Sequence, residues 1–242
     1  MAGHRVTAPR RNVERVDRIV EASAELLSQR GYRRVTVEEI ASRAGVSKSS
    51  VYLHWNTKDE IFYDALDREF TEVTCRVVEH VRRDPAEVLA HRTAVNLLRL
   101  IADRPLLQAL LIDDRATLGT LRPAKSAILR ARIADTDELM DRYLFALRRN
   151  CLLCPDVDPR IMRKAILEIL RGMTCSVQTK PLDETRCAAL SRVVTVTVRR
   201  AFEPGGVPEA ERICGAAAEV FEAFKEFMEP DETLRSEPSV AL

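Results

Sequence analysis

A short polar series at residues 48–50 has side chains of the types that recognise the edges of base pairs. The ammonium group of Lys48 can donate to the O6 and N7 acceptors of guanine in the major groove, and the hydroxyls of Ser49 and Ser50 can pair with several base edges. A good base contact contributes about 1–3 kcal/mol of discrimination against the wrong base. We therefore predict that these three side chains read bases.

A second set of polar residues around this series suits the phosphate backbone, which adds affinity without sequence information. It consists of Thr36, Ser47, Tyr52, His54 and Lys58. Two members have structural alternatives that the residues alone leave open. His54 could cap the end of its helix, and Lys58 could simply begin the next helix, where a cation opposes the helix dipole.

Two short helices joined by a glycine turn would position both sets. Thr36 and Glu39 have the spacing of a capping box at the start of one helix. Gly45 follows that helix, and glycine adopts the positive φ of a tight turn at low cost. Ser47 can then cap a second helix that runs to about Trp55. This pattern, over about residues 37–56, is typical of a helix-turn-helix whose second helix enters the major groove of DNA.

The apolar residues of the second helix indicate which of its sides is free. Val51 and Trp55 lie four residues apart, so they share one face, which we expect to be buried. Lys48, Ser49 and Tyr52 then project toward solvent or DNA.

Composition and helix-end signals indicate an all-α chain. Only 8 of the 242 residues are glycine, whereas hairpin-rich β folds need glycine in their turns. After a flexible basic arm at residues 1–12, which could contact phosphates or be inert, helices are predicted over 13–30 and from 57 to about 83. Further helices are predicted at about 85–103, 106–114, 124–150, 159–178, 183–203 and 208–229, before a disordered tail at 230–242. The segment 192–198 alternates valine and threonine as a strand would, but it lies in a run free of Gly and Pro and is predicted to be helical.

The charge is distributed unevenly along the chain. Residues 1–58 contain 11 Lys and Arg against 6 Asp and Glu, whereas residues 59–242 contain 27 against 31. A basic N-terminal quarter followed by a mildly acidic body favours a head that binds a polyanion. The N-terminus lacks the apolar core of a secretory signal, and no apolar run approaches the length of a membrane span. We therefore expect a cytoplasmic protein with no membrane association.

The run from Arg15 to about Phe70 resembles the N-terminal domain of the TetR family of one-component transcriptional regulators. The most specific match is the segment Tyr52-Leu53-His54-Trp55 followed by Lys58. Trp55 stands where phenylalanine is commoner in that family, and Ile61 where leucine is. The other matching residues are Ile19, Ala22, Leu26, Gly31, Thr36, Ile40, Ala41, Ala44, Gly45, Val46 and Val51.

The resemblance implies an all-α homodimer with a three-helix helix-turn-helix domain at residues 13–70. A long helix would join it to a ligand-binding and dimerisation domain at residues 71–229, whose last long helices would form the dimer interface. A small-molecule effector, which nothing in the sequence identifies, would change the spacing of the two recognition helices and release a palindromic double-stranded DNA operator. We therefore expect a ligand-responsive regulator of transcription that acts as a repressor, rather than an enzyme.

The pair Cys151 and Cys154 leaves open an alternative, a thiol-sensing or metal-sensing regulator. A redox Cys-x-x-Cys pair needs its first thiol near a helix N-terminus beside a βαβ unit, whereas this pair follows the end of a predicted helix. A zinc site would need two further ligands, for which Cys175 and Cys187 are the candidates. Because no export signal is evident, we expect free thiols.

No catalytic constellation is evident elsewhere. The sequence has no Gly-rich phosphate loop, no nucleophile elbow and no His–carboxylate cluster at metal-binding spacing. His80 and His91 lie apart from any acidic cluster, so we expect surface or core histidines rather than ligands. We expect no cofactor and no metal.

Overall fold

The computed structural model describes residues 8–179 and 184–228. Within these ranges the regular structure is helical throughout, which confirms the predicted all-α class. Two short 3₁₀ helices lie at Tyr32–Arg34 and Pro85–Val88. The α-helices are α1 (Ala8–Arg30), α2 (Val37–Ala44), α3 (Lys48–Tyr52), α4 (Lys58–Arg83), α5 (Ala90–Ala102), α6 (Pro105–Leu111), α7 (Arg115–Leu118), α8 (Ala127–Arg149), α9 (Pro159–Thr179), α10 (Glu184–Phe202) and α11 (Ala210–Met228).

Several predicted helix limits differ from the observed ones. Helix α1 begins at Ala8, so the second half of the predicted flexible arm is helical; residues 1–7 and the predicted tail at 230–242 lie outside the described residues. The helix predicted over 85–103 is divided, because Leu89 has an extended backbone with ψ 139° between the 3₁₀ helix and α5. Helix α3 ends at Tyr52, three residues before the predicted limit. The valine–threonine segment 192–198 lies within α10, as predicted.

The described chain forms two compact units. The first unit contains the residues up to Glu72 together with Ile101–Ile133, and the second contains Val73–Leu100 and the residues from Ala134 onward. Residues 101–133, which the sequence analysis grouped with the C-terminal domain, thus belong to the first unit.

Three of the helices that form the core of the first unit, α2, α3 and α6, are too short to be stable alone. Fully buried aliphatic and aromatic side chains from α1, α2, α3, α4 and α6 meet in one cluster. Its most deeply buried members include Ile19, Leu27, Ile40, Val51, Phe62 and Leu106. Burying such side chains contributes about 1.5–3 kcal/mol each relative to exposing them, so packing fixes the positions of α2 and α3.

Tyr32 joins the segment between α1 and α2 to the remainder of the first unit. Its ring lies 5.8 Å from that of Phe62, and its hydroxyl donates to Asp59 at 2.5 Å. Its ring also lies directly against Gly119, where a side chain would have no room. Burial, followed by the hydrogen bond to Asp59, raises the pKa of Tyr32 above its usual value.

The second unit has a core of buried aliphatic residues on α5, α8, α10 and α11, including Leu98, Leu144, Val194 and Ala216. Some polar contacts of the second unit join residues that are far apart in the sequence. The Tyr143 hydroxyl donates to the carbonyl oxygen of Val88 at 2.9 Å. No described helix of the protein is both long enough and apolar enough to cross a lipid bilayer.

A histidine–carboxylate pair lies in the second unit, between the start of α5 and the end of α10. His91 Nδ1 lies 2.8 Å from Glu203 Oε2, and the backbone N–H of His91 donates to Glu203 Oε1 at 2.8 Å. Glu203 therefore caps the first turn of α5 from a position 112 residues away. His91 thus acquires an acidic partner that its sequence neighbours do not supply.

Candidate nucleic-acid interface

The capping box predicted at Thr36 is present and fixes the start of α2. The Glu39 N–H donates to Thr36 Oγ1 at 3.2 Å, and the Thr36 N–H donates to Glu39 Oε2 at 2.9 Å. The N–H of Thr36, then its hydroxyl and the nearby Arg30 guanidinium, lower the pKa of Glu39. Thr36 itself is exposed beside these bonds.

The turn between α2 and α3 has the predicted geometry. Gly45 is left-handed, with φ 66° and ψ 38°, and the following Val46 N–H donates to Ala41 O at 2.9 Å. Ser47 then caps α3, since its hydroxyl accepts from the Ser50 N–H at 3.2 Å. These local bonds define the angle at which α3 leaves α2.

Core contacts fix the rotation of α3 about its own axis. Val51 is fully buried, and the buried Trp55 indole donates to Asp64 Oδ2 at 2.6 Å. Lys48, Ser49 and Tyr52 are exposed on the other side, as the spacing of the apolar residues predicts. This exposed polar surface is here termed the recognition surface, and it is defined by Lys48, Ser49 and Tyr52; Ser50 at its edge is partly buried.

The Lys48 side chain is held on the recognition surface by two neighbours. Its ammonium group forms an ion pair with Glu38 Oε1 of α2, and its Nζ lies 5.6 Å from the centre of the Tyr52 ring. The hydrogen bond from Lys48 lowers the pKa of Glu38, and the same bond raises the pKa of Lys48. The lysine that is predicted to read bases therefore has an acidic partner, Glu38, that the sequence did not indicate.

Lys58 is held inside its own unit to a greater extent than the other predicted phosphate contacts. Its Nζ donates to Tyr32 O at 3.0 Å and to Val35 O at 2.9 Å, and it lies 4.1 Å from the centre of the Tyr32 ring. Two of its three N–H donors are thus directed at backbone carbonyls, which ties the start of α4 to the segment before α2. Its contact with phosphate stays a prediction.

The remaining predicted residues lie close to the recognition surface. The Ser47 hydroxyl is 2.9 Å from those of Ser49 and Ser50. His54 is exposed after the end of α3, with its ring 5.5 Å from that of Trp55. Leu53 beside it is also exposed, a large apolar side chain that the sequence analysis did not assign.

Two neighbours of the recognition surface, Glu38 and Leu53, were thus not predicted, for different reasons. Glu38 lies in the first turn of α2, where an acidic residue is explained by the helix dipole alone, and its link to Lys48 depends on tertiary packing. Leu53 could have been noticed, because it precedes His54 on a helix whose buried positions are already filled by Val51 and Trp55.

The cysteines provide no support for the alternative hypothesis. Cys151 is exposed and Cys154 is partly buried, and both are free thiols in the segment after α8. Among residues 8–179 and 184–228, no three or more His, Cys, Asp or Glu side chains are grouped so that they could hold a metal ion.

Comparisons with known proteins agree with this geometry. The family model described as bacterial regulatory proteins, tetR family, matches residues 19–65. An uncharacterized HTH-type transcriptional regulator of Mycobacterium tuberculosis is 25% identical over 185 residues, which cover 70% of this chain and 90% of that protein.

Solved structures show the same fold over most of the chain. NalD, the secondary repressor of the MexAB-OprM multidrug efflux pump in Pseudomonas aeruginosa, aligns with a TM-score of 0.58 at 18% identity, covering 81% of this chain and all of NalD. A Saccharomonospora viridis protein solved in complex with choline aligns with a TM-score of 0.60 at 18% identity, covering 80% of this chain and all of that one. The N-terminal helix-turn-helix domain of the chain is therefore of the type found in the TetR family of bacterial regulatory proteins.

Proposed function

We propose that this transcriptional regulator is a homodimeric repressor that binds a palindromic operator and is released when a small molecule binds its second unit. The observation that carries the proposal is the recognition surface: its polar side chains are exposed, while Val51 and Trp55 fix α3 from behind. Helices this short are stabilised only by packing, and the arrangement suits insertion of α3 into a major groove.

Base and phosphate roles follow from where each side chain lies. Lys48, Ser49 and Ser50 lie on or beside α3, so in the groove they would face base edges. Tyr52 ends α3, and the other predicted phosphate contacts precede or follow that helix in the chain; all would contact the DNA backbone on either side of the groove. They are Thr36, Ser47, His54 and Lys58. A dimer with two-fold symmetry would then require half-sites about 34–36 Å apart, one helical turn of DNA.

A dimer is supported by an apolar surface on the second unit. Ile161 of α9 and Val193 and Val196 of α10 are 63%, 50% and 44% exposed. Val193 and Val196 lie three residues apart and therefore share one face of α10, and an exposed apolar face is a candidate interaction site. In the proposed homodimer these helices would pack against the same helices of a second copy.

The response to a small molecule is supported by relatives rather than by a site. The choline-bound Saccharomonospora viridis structure shares the fold, and NalD is described as a repressor. In this chain, an open depression of about 220 Å³ on the second unit is lined by Asp135, Glu138, Leu139, Arg142 and Phe227. It is smaller than the roughly 300–1,000 Å³ of typical ligand pockets, so we do not assign the effector to it.

Operator binding is tested with a duplex selected in vitro by the full-length protein and measured by fluorescence anisotropy. Lys48→Ala should relax the preference at one base-pair position of each half-site, whereas Lys58→Ala should weaken binding to all sequences about equally and reduce the salt dependence. If both variants change specific and nonspecific binding alike, the assigned roles are wrong.

The dimer is tested by light scattering of Val193→Glu. A buried unpaired charge at the interface should convert the dimer to a monomer. Operator binding should then weaken, because a monomer has a single α3 and can occupy only one half-site. Val207→Glu is the matched control, since Val207 lies 92% exposed in the segment between α10 and α11. A wild-type protein that is monomeric at micromolar concentration would refute the proposed assembly.

A further inference from the structure

The ion pair between Lys48 and Glu38 places a carboxylate on the recognition surface. Glu38 belongs to the first turn of α2 and Lys48 is the first residue of α3, yet their charged groups are in direct contact. Both side chains are largely solvent-exposed, at 59% and 48%. A carboxylate repels the phosphates of DNA, so attraction of a polyanion alone does not explain why Glu38 lies beside the lysine that is proposed to read bases.

Glu38 must either separate from Lys48 when α3 enters the groove or enter with it. Separation would leave an unpaired carboxylate close to the phosphates of both strands, where like charges repel. Entering together keeps the negative charge paired, and the Lys48 ammonium group also stays within 5.6 Å of the centre of the Tyr52 ring. The second arrangement is electrostatically favoured.

The two groups together match one base pair. In the major groove, a G·C pair presents the guanine acceptors N7 and O6 next to the cytosine N4 amino donor. The ammonium group of Lys48, with one N–H bonded to Glu38, has two further donors beside the carboxylate acceptor, and this order of donors and acceptor complements that of the G·C pair. At an A·T pair, the carboxylate would face the O4 acceptor of thymine, and two acceptors repel.

We propose that Glu38 is a specificity-determining residue that reads one G·C pair jointly with Lys48. Lys48 donates to guanine, and Glu38 accepts from the N4 amino group of the paired cytosine. The proposal rests on the proposed function, since it requires that α3 occupies the major groove. It adds that the base preference of Lys48 depends on a residue of the preceding helix.

A base-pair scan of the selected operator tests this inference. Each position of the half-site is replaced in turn by the other three base pairs, and affinities are measured by anisotropy for the full-length wild type, Glu38→Ala and Glu25→Ala. Glu25 is the matched control: it forms an exposed ion pair with Arg43 at 2.6 Å in the same unit, and its loss changes the net charge equally. Exposed pairs contribute little to stability, so all three proteins should fold, which circular dichroism checks.

Glu38→Ala should lose roughly tenfold in discrimination for G·C at one position of each half-site, the size of one good base contact, with the other positions unchanged. It should also bind nonspecific duplex more tightly, because a carboxylate has been removed from the DNA-facing surface. Glu25→Ala should keep the wild-type base preferences.

The outcomes separate this inference from the proposed function. If Lys48→Ala changes the preference at one position but Glu38→Ala retains the complete wild-type profile, the role of Glu38 is refuted while the function stands. A uniform change of affinity in Glu38→Ala, equal at every position, likewise refutes it. A wild-type protein that selects no DNA sequence overturns both.

Discussion

The recognition surface of the first unit and the interior of the second unit use polar side chains in opposite ways. In the first unit, Lys48, Ser49 and Tyr52 are exposed on a helix that is held from behind by buried apolar residues. In the interior of the second unit, polar groups bond to one another. Examples are the His91–Glu203 pair and the hydrogen bond from the Tyr143 hydroxyl to the carbonyl oxygen of Val88. The first unit thus presents hydrogen-bonding groups to an external partner, whereas the second uses them to define its own fold.

This difference separates stability from recognition within the molecule. Exposed ion pairs and hydroxyls contribute little to the free energy of unfolding, so the recognition surface can vary without loss of the fold. A buried hydrogen bond cannot be removed in the same way, because an unsatisfied partner remains in the core. The four predictions that follow test how strictly this separation holds.

The largest effect is expected at Gly119 in the first unit, where the backbone packs against the Tyr32 ring. If packing holds the first unit together, a side chain at this position should destabilise it strongly. Gly119 has φ 55°, and a Cβ there would lie 2.6 Å from an atom of the Tyr32 ring. Gly119→Ala should therefore lower the free energy of unfolding by about 3 kcal/mol, from backbone strain and overpacking. Urea denaturation measures this loss; Gly205→Ala, where a Cβ meets open space, should change it by less than about 0.5 kcal/mol.

The two lysines predicted to bind DNA should differ in their effects on stability. Lys58→Met removes two hydrogen bonds from a charged donor to Tyr32 and Val35, so it should cost about 2 kcal/mol. Lys48→Met removes only an exposed ion pair and should change stability by about 0.5 kcal/mol or less. If Lys58→Met and Lys48→Met lowered the free energy of unfolding equally, in thermal or urea unfolding, the difference in burial between the two lysines would not explain their contributions to stability.

A smaller effect is expected at Tyr143 in the second unit. Tyr143→Phe leaves the carbonyl of Val88 without its donor and should cost about 1 kcal/mol at neutral pH. Burial raises the pKa of Tyr143 well above its ordinary value of 10.0. The folded protein therefore keeps a proton that the unfolded chain releases, and stability falls as the pH rises above that value.

Urea midpoints measured across alkaline pH check the role of Tyr143. The wild type should lose stability more steeply than Tyr143→Phe, since the variant has no proton to release at that site. Parallel pH profiles for the two proteins would contradict the assignment.

The smallest effect is expected at the capping box of α2. The pKa of Glu39 is lowered by the Thr36 N–H, so its carboxylate stabilises the fold above its ordinary pKa of 4.5 and that contribution is lost as the pH falls through the lower, folded-state value. Glu39→Gln should be less sensitive to acid than the wild type in thermal unfolding. Thr36→Val removes the hydroxyl but keeps the backbone N–H, so it should retain most of the wild-type acid response; a response as weak as that of Glu39→Gln would show that the N–H bond does not govern it.

Local signals were sufficient to predict most of the recognition surface. The Thr36–Glu39 box, the Gly45 turn and the Ser47 cap each depend on residues three or four positions apart, and all were predicted and observed. The rotation of α3 followed from Val51 and Trp55 for the same reason. Helix limits were less predictable where the backbone changes conformation without a Gly or Pro signal, as at Leu89.

The sequence by itself thus determined the all-α class, the helix-turn-helix and the exposed side of α3, because caps, turns and helical periodicity act between near neighbours in the chain. Only the tertiary structure decided that Lys48 pairs with Glu38, that Lys58 binds the carbonyls of Tyr32 and Val35, and that Glu203 caps the helix of His91. Those contacts join residues 10 to 112 positions apart, so they exist only after apolar burial has brought the helices together.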